Sequence, residues 1–232
     1  MAAPSRRRFL RTSLLSWAGM LAPGAASPDV GQPPWPADRR VLCDLHVHVG
    51  LNTWVRESPL AVRAPTVARL ARATLNPTRA SWRECHAAGV DLMAAAHFNV
   101  FDEWASMPTD PNPEAPAHTL RMLDRLEEEL AGPAAAHARL ARSPAELEAL
   151  LAVRRGDPRF HTAVLHTLEG GHALGGSLEP LAEFARRGVA LITLTHFFDK
   201  GVASAANAFP FFPDAGSGWP RGGLSPYGRD LI

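Results

Sequence analysis

Two histidines one residue apart, His46 and His48, end an apolar run, Val41–Val49 (VLCDLHVHV). In an extended strand, residues i and i+2 point the same way, so both imidazoles face one side. Two imidazoles so placed can hold one divalent ion, commonly zinc. A second run, Thr162–Leu168, ends at Glu169, which Gly170 and Gly171 follow. A carboxylate there can give one oxygen to each of two metals and hold them about 3.5 Å apart. The glycines let the backbone turn sharply beside it. A third run, Leu191–Thr195, ends at His196. That ring can ligate a metal, or donate a hydrogen bond to a substrate carbonyl as its oxygen turns anionic. His97, which ends Val90–Ala96, is a weaker candidate at the corresponding place, and His166 and His172 read as structural or loop residues.

Such residues act together only if their strands end on a common face. The runs Val41–Val49, Val90–Ala96, Thr162–Leu168 and Val189–Thr195 read as four strands, the first apolar enough to be buried on both faces. Helical spacing lies between them. Pro65–Ala88 carries Val67, Leu70, Ala71, Leu75 and Trp82, with a break at Asn76-Pro77. Ala117–Leu130 is amphipathic through Leu120, Leu123, Leu126 and Leu130. Ser143-Pro144-x-Glu146 starts a helix that runs to about Arg154, and Leu178–Arg187 is the next. Strand alternating with helix predicts the α/β class with a parallel sheet, and ligands at strand C-termini predict a barrel. Residues 197–223 are rich in Gly, Pro and Phe. They read either as a wall enclosing a substrate or as an apolar loop packed on another surface. Ser225-Pro226 starts a further helix, and the sequence stops at Ile232, before a barrel of that kind closes.

The composition, 46% apolar and 20% charged over 232 residues, is that of one globular domain. A net charge of +1 offers no basic field for phosphates, which argues against nucleic acid as a partner. Two cysteines, Cys43 and Cys85, are too few for a disulfide framework and read as buried thiols. The N-terminus reads as an address. Ser5–Arg11 (SRRRFLR) resembles the twin-arginine export motif, and an apolar stretch, Ser13–Ala22, leads to small residues suited to cleavage after Ala26. Residues 1–26 are therefore expected to be a signal peptide, 27–40 a Pro-rich lead-in, and 41–232 the barrel part. The apolar stretch falls short of the about 20 residues a permanent span needs. The mature protein is expected to be exported, periplasmic or extracellular, with no permanent membrane span.

Leu168-Glu169-Gly170-Gly171, the spacing to Leu194-Thr195-His196, and Gly223–Gly228 (GLSPYG) resemble the membrane (renal) dipeptidase family of zinc peptidases, in the amidohydrolase superfamily. The resemblance is strong over residues 160–232 and loose over 41–100. It implies a (β/α)8 TIM-barrel metallohydrolase, represented here by about four β/α units of its N-terminal half. It also implies two zinc ions, a small peptide substrate, and a metal-activated hydroxide that cleaves a dipeptide amide bond. His46 and His48 would hold the first metal, Glu169 would bridge both, and His196 would bind the substrate carbonyl. Family members are often dimers, so a homodimer is a further expectation. The family usually has His-x-Asp where this chain has His46-x-His48, which points to a divergent branch. Its second-metal histidines, substrate-binding arginine and catalytic aspartate follow the position equivalent to Ile232. Two other readings stand beside the dipeptidase: a truncated remnant or metal-binding half-barrel without catalysis, and an amidohydrolase acting on non-peptide amides or lactones.

Overall fold

The computed structural model describes residues 41–49, 81–99, 102–103, 110–205 and 223–232. The expected signal peptide, the lead-in, the first part of the helix over 65–88 and most of the loop over 197–223 lie outside the described residues.

The sheet is parallel throughout and has five strands. β1 (Cys43–Val47) pairs with β2 (Leu92–His97), and β2 pairs with β4 (Thr162–Leu168). Two short strands share the other edge of β4. β3 (Ala138–Leu140) takes its first half, opposite Thr162–Val164, and β5 (Val189–Ile192) takes its second, opposite His166–Leu168. Four strands were expected, and β3 is the one the sequence did not show: three residues, Ala-Arg-Leu, are too few for a period to appear.

Four of the five described α-helices start on local chemistry. Ser81 and Glu84 form a reciprocal capping box at α1 (Trp82–Ala87). Pro116 lies in the first turn of α2 (Ala115–Ala131), where its missing N–H costs nothing. The Ser143 Oγ accepts from the Glu146 N–H at α3 (Pro144–Ala152), as the sequence predicts. α4 (Leu181–Arg186) precedes β5. α5 (Pro226–Asp230) is capped by Ser225, whose hydroxyl also donates to the Gly201 carbonyl at 2.6 Å.

The register decides which face carries what. Met93 and Ala95 of β2 lie beside Val164 and His166 of β4, and they pack with Leu126 and Leu130 of α2 and Trp82 of α1. This is the helix-covered face. A second cluster, Leu123, Leu168, Ala173, Leu174 and Phe184, continues the core toward the C-terminal ends of the strands. α2 supplies both clusters from one stripe: Ala115, Thr119, Met122, Leu123, Leu126 and Leu130 are its buried residues. β2 is buried along its whole length, as a central parallel strand should be. β1 is not. Cys43, Asp44, Leu45 and His46 are exposed, because β1 pairs with β2 alone among the described residues. Cys43, expected as a buried thiol, is exposed with it, and Cys85 is half-buried; both are free thiols.

Candidate metal centre

The bulge in β1 aims the histidine pair. Between the pairs Asp44–Met93 and Val47–Ala95, β1 takes three steps while β2 takes two. Val47 is thereby placed on the core face, and His46 and His48 on the other. His48 donates from Nδ1 to the Ala96 carbonyl at 3.1 Å, which leaves its Nε2 with the lone pair. Burial lowers the pKa of His48, with Glu169 opposing, so its ring is neutral at neutral pH and fit to ligate. Its neighbour His46 stands edge-on, ring centroids 4.9 Å apart.

Glu169 is held at the mouth of β4 by its backbone. Its N–H donates to the His97 carbonyl at 3.1 Å. The next two N–H groups reach across to the end of β5: Gly170 to the Thr193 hydroxyl at 2.7 Å, Gly171 to the Leu194 carbonyl at 3.0 Å. Gly170 sits at φ 100°, a region closed to side chains, and a Cβ there would run into the His172 ring. Gly170→Ala is therefore expected to destabilise the protein by about 1–3 kcal/mol, read as a fall of several degrees in melting temperature.

Four of the expected residues converge. His46 Nε2 is 3.1 Å from Glu169 Oε1, and His48 Nε2 is 3.3 Å from Glu169 Oε2. His196 Nε2 lies 3.3 Å from Glu169 Oε1. His46, His48 and Glu169 each offer a ligand atom within 4.8 Å of the others. Two ligands at tetrahedral angles on one zinc, with bonds of about 2.0–2.2 Å, stand about 3.3–3.6 Å apart. The observed spacings of 3.1–3.3 Å lie at or just under the short end of that range. Glu169 Oε2 is moreover buried with no hydrogen bond among the described residues. The Nε2 lone pair of His48, facing Glu169 Oε2, is repulsive unless a cation or a proton lies between them. The donor set, two nitrogens and a carboxylate, suits zinc.

His97, the weaker candidate, does not join them. It lies on the helix-covered face, and its Nε2 is 2.8 Å from His166 Nδ1. His166 Nε2 is in turn 3.4 Å from Glu127 Oε1 on α2. A carboxylate accepts, so protons run from His97 through His166 to Glu127, in a chain buried behind the site.

The structure adds residues that sequence reasoning left unmarked. Glu103, fully buried, lies 2.9 Å by Oε2 from His196 Nδ1. Asp102 beside it accepts from Asn112 at 2.6 Å and from His118 of α2 at 2.7 Å. Lys200, buried and at φ 46°, has its pKa lowered to about 8 by burial, against the pull of Glu103, Asp110 and Asp102. No local signal marks them, because Glu103 and His196 are 93 residues apart in sequence.

The profile of the membrane dipeptidases, peptidase family M19, matches residues 58–232. The chain belongs to that family. Glu169 and His196 fall inside the matched span, and His46 and His48 precede it. Membrane dipeptidases are metal-dependent hydrolases, and His46, His48 and Glu169 lie close enough together that they could hold one metal ion. Among solved structures, the crystal structure of an M19 metallopeptidase, dipeptidase AC, is similar at 21% identity and a TM-score of 0.53. The match covers 82% of this chain and 52% of that one. A metallopeptidase from Rhodobacter sphaeroides, solved with a phosphinate mimic of the dipeptide L-Ala-D-Ala, matches at 19% identity and a TM-score of 0.51. It is covered over 54% of its length, and this chain over 82%. The chain thus spans about half the length of the dipeptidase structures it matches. At these identities the likeness is one of fold: the parallel β/α sheet is that of the M19 dipeptidase barrel. No curated protein matches the sequence closely. Among the described residues, no helix is long and apolar enough to cross a membrane.

Proposed function

We propose that the chain is the N-terminal part of an exported, zinc-dependent dipeptidase, with His46, His48 and Glu169 as metal ligands and His196 as the substrate-facing residue. The observation that carries this reading is the convergence of the three histidines on the Glu169 carboxylate at 3.1–3.3 Å. Zinc, when bound, lowers the pKa of water and polarises an amide carbonyl. The chain's own residues do the rest. His48 stays neutral and points Nε2 inward because Ala96 holds its other nitrogen. Glu169 sits on a backbone laced to the end of β5, so its oxygens keep their place as ligands come and go. His196 shares the Glu169 oxygen with His46, which supports reading its Nε2 as the atom that faces the scissile carbonyl. The Phe98 ring stands 4.3 Å from the His196 ring, centroid to centroid, and gives that approach an apolar side. Export rests on the twin-arginine-type start, Ser5–Arg11, and the sites for cleavage after Ala26.

A neutral second ligand, His48, in place of an anionic one would leave the metal more electrophilic. That observation favours the second reading, hydrolysis of lactones or non-peptide amides. Turnover of L-Ala-D-Ala against a simple lactone, by the full-length protein with added zinc, separates the two. Lactone turnover without dipeptide turnover overturns the first.

Metal binding is testable without turnover. Zinc at about 100 times its Kd should stabilise the fold by about 2.7 kcal/mol, read as a rise in melting temperature that a chelator reverses. His46→Ala and His48→Ala should each lose most of that rise. Equal rises in the variants and the native protein would remove this site from the reading.

A further inference from the structure

The ends of β4 and β5 are joined around Glu169 by a ladder with one irregular rung. In a regular parallel ladder, the residue opposite Glu169 donates its N–H to residue 168 and accepts from residue 170 through its carbonyl. Thr193 makes the first of these bonds, to the Leu168 carbonyl at 3.0 Å. In the second, its hydroxyl stands where the carbonyl would: the Gly170 N–H donates to Thr193 Oγ1 at 2.7 Å. The same hydroxyl lies 3.4 Å from the Leu168 carbonyl, to which it can donate. One side chain therefore touches the backbone on both sides of Glu169. We propose that Thr193 is the positioning residue of the metal centre: its hydroxyl clamps residues 168 and 170, and so fixes the Glu169 carboxylate where His46 and His48 converge. This deepens the dipeptidase reading and rests on it for Glu169 as a metal ligand.

The chain leaves β4 in a sharp turn at Gly170, φ 100°, and the clamp is what ties that turn to the neighbouring strand. It also links the two arms of the site. Thr193 stands three residues before His196, whose Nε2 is 3.3 Å from Glu169 Oε1. A threonine that only filled space at the end of β5 would need its methyl group and not its hydroxyl. Thr193→Val keeps the shape and removes the hydroxyl, which leaves the buried Gly170 N–H without that acceptor. Thr193→Ser keeps the hydroxyl and removes the methyl. Thr193→Ala removes both but leaves room for a water to accept the Gly170 N–H, and so stands in should the valine variant not fold.

The test measures the zinc affinity of the full-length protein by competition with a chromophoric chelator, with the metal-free melting temperature alongside. Zinc affinity should fall about 10- to 100-fold in Thr193→Val and Thr193→Ala, and stay near native in Thr193→Ser. Native affinity in either of the first two overturns the proposal even where the melting temperature falls, because a purely structural threonine moves the one and not the other. An equal loss in Thr193→Ser overturns it as well, since the methyl would then be the group that matters. Turnover is read separately. A native protein that binds zinc and cleaves no L-Ala-D-Ala overturns the dipeptidase reading, and the affinities still decide the role of Thr193. A native protein that binds no zinc overturns the metal centre and this proposal together.

Discussion

Glu169→Ala is expected to lower dipeptide turnover by more than about a hundredfold, the ceiling typical of residues that merely support a metal ligand. All three histidine contacts in the site are made to this one carboxylate, so no neighbour can replace it. The same substitution should leave the metal-free fold as stable as before, or more stable. The backbone bonds that hold position 169 are those of residues 169–171, and alanine keeps them. What alanine removes is a carboxylate with one buried oxygen that receives no hydrogen bond among the described residues. A buried polar atom without a partner costs about 1–3 kcal/mol, so its loss is a gain. Activity and metal-free stability should therefore move in opposite directions, as at sites strained for function. Turnover and thermal melting, each with and without zinc, check both halves. A variant that loses activity and melts far lower without metal would make Glu169 a structural residue.

The legible parts of this chain are those whose information is local. Thr162–Leu168 was readable as a strand to the residue, because a seven-residue, mostly apolar and β-branched run between a loop and a Glu-Gly-Gly turn is too short for a helix. The Ser143 cap and the Leu123–Leu126–Leu130 stripe were equally plain. The convergence of His46, His48, Glu169 and His196 was legible because parallel strands bring their C-terminal ends together. What sequence could not supply depends on register and on distance. His97 ends a strand just as Glu169 follows one, yet register puts it on the helix face with Met93 and Ala95. A shift by one residue would have sent it to the other face. The bulge that aims His46 and His48 adds one residue to β1, and no residue type announces it. Glu103 lies in a stretch where neither helix nor strand spacing shows, and its meaning comes from a partner 93 residues away.

The buried histidine chain makes the fold acid-sensitive, and this is the second large effect. Burial first, then the charges of Arg187 and Arg142, lower the pKa of His166 to about 3, and burial first, then His166, lowers that of His97 well below the usual value. The unfolded chain, whose histidines titrate near 6.5, therefore binds more protons than the folded one at any pH between. By linkage, stability is fully present above about pH 6.5 and falls as pH drops, by up to about 1.4 kcal/mol per pH unit for each such histidine. Carried to the folded-state pKa, His166 alone accounts for about 5 kcal/mol, the low end of a domain's whole stability. The protein should thus unfold on mild acidification, before most carboxylates are protonated. His166→Leu isolates the cause. It leaves the His97 donor without its acceptor, which costs about 1–3 kcal/mol at neutral pH. It also deletes one titrating ring, so its stability should decline less steeply below pH 6.5. The two curves should cross one to two pH units lower, with the variant the more stable on the acid side. Denaturant midpoints from pH 7.5 to 4.5 measure this directly. Parallel curves would mean that the acid response lies elsewhere, with His48 and His172, whose pKa values burial also lowers, the next rings to replace.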